Sequence, residues 1–137
     1  MNISLNSKGF TLINDGYNAN PASMKAGILA SLELSATRRI AVIGAMGELG
    51  EKSAAHHYEL GKLLAQHFDQ LFICGKEALN TVKGAKEANF LEDNIFYAPT
   101  SLELIMPLKE YLAEGDLVFI KGSLSANMKA ITDAISL

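Results

Sequence analysis

The residues best equipped for chemistry lie in one short run, Asp15-Gly16-Tyr17-Asn18-Ala19-Asn20-Pro21-Ala22-Ser23. A carboxylate, a phenol and two side-chain amides crowd into it. Together they make a polar surface able to recognise a ligand specifically by hydrogen bonds. The preceding run, Phe10-Thr11-Leu12-Ile13, is apolar and β-branched and reads as a strand, and the run from Met24 to Leu34 has helical apolar spacing. A loop at the carboxyl end of a strand is where open α/β sheets place ligand contacts. The plainer reading of the same residues is a turn followed by a helix cap, with Asp15 and the asparagines bonded to local backbone. A second candidate is Lys121-Gly122-Ser123, which follows the apolar run Leu117-Val118-Phe119-Ile120 and leads into a helix. A cation and a small hydroxyl placed there can hold an anion. The plainer reading is a solvated lysine and a serine that starts the helix.

Gly44-Ala45-Met46-Gly47-Glu48-Leu49-Gly50-Glu51 also follows a strand-like run, and its glycines invite comparison with a dinucleotide-binding turn. That motif opens a helix within the glycines so that backbone amides meet a pyrophosphate. Here Glu48 and Glu51 stand in that place and would repel phosphate, and no acidic ribose contact follows at the expected distance. A structured glycine-rich loop beside a ligand fits better. The pair His56-His57 falls in a predicted helix, where neighbours point about 100° apart and cannot share a metal as an i, i+4 pair would. His67 lies further on, near the predicted helix end. No metal site is expected, and one of the pair should pack against the neighbouring loop. No segment supplies Gly-x-x-x-x-Gly-Lys-Ser/Thr, the phosphate cradle of a P-loop, and spacing gives no nucleophile–base pair.

The elements that must position these loops alternate. Ile3-Ser4-Leu5 and Phe10-Thr11-Leu12-Ile13 flank Asn6-Ser7-Lys8-Gly9, which predicts an N-terminal β-hairpin. Helices are predicted over 21–35, 52–68, 76–88, 101–112 and 125–135. The third should be interrupted or capped near Gly84. The fourth should have Ser101 as N-cap and a kink or early stop at Pro107. Strands are predicted over 39–44, 71–74, 94–97 and 117–120. Strand–helix alternation calls for a parallel sheet buried on both faces. The expected class is α/β and Rossmann-like: a mostly parallel sheet with helices on both faces and the hairpin at its start. The 137 residues, 49% of them hydrophobic, are enough for one domain with a sizeable core. The net charge of −3 and interspersed signs argue against a nucleic-acid footprint. No apolar run approaches the roughly 18 residues a membrane span needs, and the N-terminus does not read as a signal peptide. The one cysteine, Cys74, sits in an apolar strand and reads as a buried thiol that suits a reducing cytoplasm.

The chain resembles the C-terminal domain of the Mur ligases. The resemblance is carried by Asp15-Gly16-Tyr17-Asn18-Ala19-Asn20-Pro21-x-Ser23, by Ile40-Ala41-Val42-Ile43-Gly44-x-Met46-x-Glu48-Leu49-Gly50-Glu51, by His57 with Gly61, and by Gly115-Asp116 ahead of Lys121-Gly122-Ser123. These stand in the family's order and approximate spacing across nearly the whole chain. The stretch from Tyr17 to Pro21 is most similar to the branch that adds D-alanyl-D-alanine to UDP-N-acetylmuramoyl-tripeptide. The chain departs from the family's usual pattern at Ala45, where an acid is usual, at Gly47, where leucine is usual, and at Leu124, where arginine is frequent.

The resemblance implies that residues 1–137 form a single C-terminal domain, with an N-terminal UDP-sugar domain and a central ATPase domain elsewhere. In such a ligase ATP activates a carboxylate as an acyl phosphate, and the dipeptide amine attacks it. ATP and Mg would be bound mainly by the central domain, with none held tightly by this chain, which alone should fold but not turn over. The implied partners are the chain's own central and N-terminal domains, ATP, D-alanyl-D-alanine and UDP-N-acetylmuramoyl-tripeptide, in the bacterial cytoplasm, with no nucleic acid and no membrane insertion. Carried onto this sequence, the resemblance implies that Asp15 contacts the nucleotide at its ribose. Asn18 and Asn20 orient nucleotide or substrate, and Tyr17 packs beside them. Lys121 and Ser123 meet the dipeptide carboxylate or nearby phosphates, while Glu48 and His57 support the second loop. It assigns no catalytic residue and no metal ligand to this part. The competing readings are a stand-alone Rossmann-like binding module without catalysis, and a sibling of the superfamily such as folylpolyglutamate synthase, against which the asparagine-rich loop argues.

Overall fold

The computed structural model describes residues 1–16 and 19–136. Strands β1 (Asn2–Leu5) and β2 (Thr11–Asn14) form the expected antiparallel hairpin. Its turn is held by Asn6, whose Oδ1 accepts from the Lys8 amide at 2.8 Å and whose Nδ2 donates to the Ile135 carbonyl at 2.7 Å, near the far end of the chain. There follow α1 (Pro21–Ser31), β3 (Arg38–Ile43), α2 (Ser53–His67), β4 (Gln70–Cys74), α3 (Leu79–Glu87), β5 (Ile95–Ala98), α4 (Ile105–Tyr111), β6 (Asp116–Lys121) and α5 (Met128–Ile135).

The six strands lie in the order β1-β2-β6-β3-β4-β5, and every pairing except that of β1 with β2 is parallel. The right-handed rule for parallel crossovers then sorts the helices. The chain advances in one direction through β2, β3, β4 and β5, so α1, α2 and α3 share a face. It reverses to insert β6, so α4 covers the other, where α5, which follows the last strand, packs beside it. Two cores result. Met24, Ile28, Leu60 and Leu64 pack on Ile13, Ile43 and Phe119. Leu104, Leu108, Met128 and Ile131 pack on Leu12, Val42 and Val118. Strands β4 and β6 are buried at every position, which explains the unbroken apolar runs Leu71–Cys74 and Leu117–Ile120 within them.

Four predicted elements differ from those observed. Helix α1 ends at Ser31, short of residue 35, because turns follow and the Arg39 guanidinium caps the carbonyls of Ser31 and Leu34. Helix α3 starts at Leu79 and runs through Gly84 without interruption. Gly84 is there for contact: a Cβ on it would lie 2.8 Å from the Tyr58 carbonyl carbon of α2, and one on Gly61 would lie 2.7 Å from the Ala85 amide nitrogen. The region 101–112 is a 3-10 turn (Ser101–Leu104) followed by α4, with Thr100 rather than Ser101 in the N-cap position. Pro107 does not stop α4, because it lies in the first turn, where no amide is needed. The last helix begins at Met128 rather than residue 125, after a 3-10 turn (Leu124–Ala126) and Asn127 in the left-handed conformation.

At the amino ends of the strands, Arg38 forks onto both oxygens of the buried Asp116 at 2.7 and 2.6 Å and lies 4.1 Å over the Tyr111 ring. The hydrogen bonds to Asp116 raise the guanidinium pKa further. Cys74 is buried on β4, and desolvation pushes its thiol up to about 11.

Candidate functional site

The loops after β2, β6 and β3 belong to consecutive strands and are tied together beyond the strand ends. The Asp15 amide donates to the Ile120 carbonyl at 3.1 Å, the Gly44 amide to Lys121 at 2.9 Å and the Ser123 amide to Ala45 at 2.9 Å. The Asp15 loop, the glycine-rich loop and the Lys-Gly-Ser loop thus form one laced rim. The rim is tight: a Cβ on Gly122 would lie 2.7 Å from Met128 Cγ and 3.0 Å from Gly44 Cα.

The loops border an open groove of about 940 Å³, with Asn20 on one side, Gly47 to Leu49 on another and Ser123 to Ser125 on the third. Asn20 caps α1. Its Oδ1 accepts from the Ser23 amide at 2.9 Å, and Ser23 Oγ accepts from the Asn20 amide at 3.1 Å. Pro21 follows as the first helical residue, where its missing amide costs nothing. The cap and the groove lining are therefore the same residue. Ser123 is buried at the groove wall, its Oγ 3.1 Å from Ser125 Oγ. Glu48 is exposed at the rim with φ of 57°, an unusual conformation for a residue other than glycine.

His57 is fully buried and supports the glycine-rich loop, as expected for one of the pair. Its Nε2 accepts from the Met46 amide at 2.9 Å and its Nδ1 donates to the Ser53 carbonyl at 2.8 Å, so the neutral Nδ1–H tautomer is the one that satisfies both bonds. Met46 is thereby drawn into the core while Gly47 and Glu48 stay at the groove.

Asp15 and Lys121 meet. The Lys121 ammonium lies 2.9 Å from Asp15 Oδ2 and donates to the Asp15 carbonyl at 2.9 Å, with side chains 4% and 14% exposed respectively. The structure thus unites Asp15 with Lys121, sets Asn20, Glu48 and Ser123 around the groove, and puts His57 beneath the second loop. Tyr17 and Asn18 lie outside the described residues. Sequence reasoning missed Gly27 of α1, where a Cβ would press on the Asp15 carboxylate and stand 3.1 Å from its Cγ. An isolated glycine inside a helical pattern was the available signal.

The groove offers an amide, hydroxyls and a rim carboxylate, which suit a polar ligand held by hydrogen bonds; among the described residues that line it none is cationic. Among the described residues no group of three or more His, Cys, Asp or Glu converges as a metal site would, and no helix is long and apolar enough to cross a membrane.

Comparison with known proteins gives one answer by sequence and by fold. The UDP-N-acetylmuramoyl-tripeptide--D-alanyl-D-alanine ligase of Bacillus subtilis is 32% identical over 125 residues, covering 90% of this chain and 27% of that protein. The protein of the same description from Synechocystis is 36% identical, covering 90% of this chain and 27% of its own length. The chain therefore spans less than a third of the relatives it matches. The crystal structure of MurF ligase from Thermotoga maritima in complex with ADP matches 98% of this chain and 30% of that one, with a TM-score of 0.80 and 25% identity. A MurF structure from Acinetobacter baumannii matches with a TM-score of 0.82, 26% identity and the same coverage of both chains. The family described as Mur ligase, glutamate ligase domain, matches residues 1–124, and the chain belongs to it.

Proposed function

We propose that this chain is the C-terminal, nucleotide- and dipeptide-contacting part of an ATP-dependent ligase that adds D-alanyl-D-alanine to UDP-N-acetylmuramoyl-tripeptide during peptidoglycan synthesis in the bacterial cytoplasm. The observation that carries the reading is the laced rim, which presents three sequence-matched loops of adjacent strands to one groove. The named relatives and the ADP complex of a structural neighbour support it.

In this reading the groove takes the nucleoside part of the nucleotide together with the dipeptide. Asp15 faces the ribose, Asn20 and Asn18 orient the ligand by their amides, Tyr17 packs beside them, and Ser123 offers its hydroxyl to the dipeptide carboxylate. Glu48 at the rim disfavours a polyphosphate there, so the phosphates and Mg belong to the central domain, as do the ligands that hold them. This chain closes over the site and its own residues bind and orient; the phosphoryl transfer happens elsewhere.

The test is ADP release by the full-length ligase given ATP, Mg, tripeptide substrate and a panel of acceptors. Release should require D-alanyl-D-alanine, and this chain alone should give none above background. Preference for a single amino acid would assign the chain to a sibling ligase, and turnover by the chain alone would refute the division of labour.

A further inference from the structure

We propose that Lys121 and Gly27 are positioning residues that clamp the Asp15 carboxylate from two sides, and that Lys121 touches neither dipeptide nor phosphate. This rests on the reading of Asp15 as a nucleotide contact. On one side the Lys121 ammonium holds Asp15 twice, through Oδ2 at 2.9 Å and through the main-chain oxygen at 2.9 Å. The carbonyl bond fixes the backbone at the turn into Gly16, and the carboxylate bond fixes the side-chain rotamer. On the other side α1 passes so close that any side chain at position 27 would displace the carboxylate. Gly27 also lies against the Phe119 ring, where a Cβ would approach to 3.0 Å, so a side chain there would crowd the sheet as well as the carboxylate.

Strand geometry sets the direction of the lysine. Along β6, side chains alternate between faces, so Lys121 shares the face of Leu117 and Phe119, beneath α1. That direction leaves the ammonium 4% exposed and outside the groove lining. A buried ion pair contributes little net stability, because desolvating both charges offsets most of their attraction. Its use here is geometric. Lys121 and Gly27 both act on Oδ2, and of the pair it is the Asp15 side chain, 14% exposed against 4% for the lysine, that a ligand can reach.

The experiment is steady-state kinetics of the full-length ligase with Asp15→Asn, Lys121→Met, Lys121→Arg, Gly27→Ala and the double variant Asp15→Asn/Lys121→Met. The expected result is a rise in KM for ATP of about tenfold or more for Asp15→Asn, Lys121→Met and Gly27→Ala, with KM for D-alanyl-D-alanine unchanged within about twofold. Lys121→Arg, which keeps the charge, should recover part of the loss. The double variant should be no worse than the poorer single one, because both substitutions remove the same constraint. Thermal melting identifies any variant that fails to fold; if Lys121→Met does, Gly27→Ala and Lys121→Arg carry the same test. A rise in KM for the dipeptide with KM for ATP unchanged in Lys121→Met would overturn the inference and make Lys121 a direct substrate contact. If Asp15→Asn alone raises KM for ATP, the clamp is refuted while the nucleotide reading stands. If none of the variants changes KM for ATP, the nucleotide reading falls and the clamp with it.

Discussion

Replacing Gly84 with alanine should destabilise the fold, although helix propensity points the other way. In a free helix interior the change stabilises by about 1 kcal/mol. In this chain α3 lies directly on α2, and the new Cβ would stand 2.8 Å from the Tyr58 carbonyl carbon and 3.1 Å from its Cα, with the oxygen closer still. Non-bonded carbons settle at about 3.5–4.0 Å, so the helices must separate by roughly 1 Å. The obstacle is main chain, which cannot swing aside as a flexible side chain would. A gap of that size forfeits a quarter to a half of the dispersion energy of each atom pair across it. The affected interface includes the fully buried Thr81 and Ala85. Overpacking costs about 1–3 kcal/mol, and backbone contact puts this site near the upper end. After the propensity gain, the net loss is about 2 kcal/mol. Gly61→Ala meets the Thr81 and Ala85 backbone in the same way and should cost a similar amount. Because one separation relieves both clashes, the double variant should lose clearly less than the sum. Urea unfolding followed by circular dichroism measures all three. A Gly84→Ala protein as stable as the parent, or more so, would refute the close approach and the reasoning built on it.

Further outcomes follow from the same structure. Thr81 Oγ1 is buried without a hydrogen-bond partner among the described residues, so Thr81→Val should be neutral or stabilise by up to about 1 kcal/mol in urea unfolding; a loss above that would show that the hydroxyl is bonded. Asn20→Ala removes the α1 cap and should cost about 0.5–2 kcal/mol, with a much larger loss of turnover in the full-length ligase. Asn20→Ser keeps a capping oxygen and should recover stability without turnover; recovery of both would reduce Asn20 to a cap. The Cys74 thiol, pushed up to about 11 from an ordinary 9.0, favours the folded state while protonated. Its contribution is complete below pH 9.0 and is lost as pH rises toward about 11. Stability should fall by about 2 kcal/mol more in the parent than in Cys74→Ala across that window, and equal falls would mean the thiol is not buried in solution.

The alternation of strands and helices was legible because a strand buried on both faces must be apolar throughout, and Gln70–Cys74 and Asp116–Lys121 are so apart from their ends. The order of the strands was not, since an unbroken apolar run carries no mark of its neighbour. Proline and glycine misled where their local meaning was overridden. Pro107 falls in a first turn only because a 3-10 segment precedes it, and Gly84 serves a contact with a helix distant in sequence. At the site, the location of the loops could be read from strand ends, but the direction of side chains could not. Lys121 reads as an anion contact from its loop alone; period-two alternation from Phe119 is the signal that places its side chain beside Asp15. Asn20 is the cap that the plainer reading expects, and it also lines the groove.

The position of β6 sets an order of events during synthesis. Strands β2 and β3 never pair with each other; each pairs with β6, which is translated last of the six. Until residue 121 has left the ribosome, the hairpin and the β3-β4-β5 segment are separate pieces, each with an open edge where the other should be bridged. Contacts so distant in sequence form slowly, and a nascent chain waiting for its keystone strand exposes those edges to other chains. Premature termination before β6 would therefore leave two unjoined fragments rather than a shortened sheet.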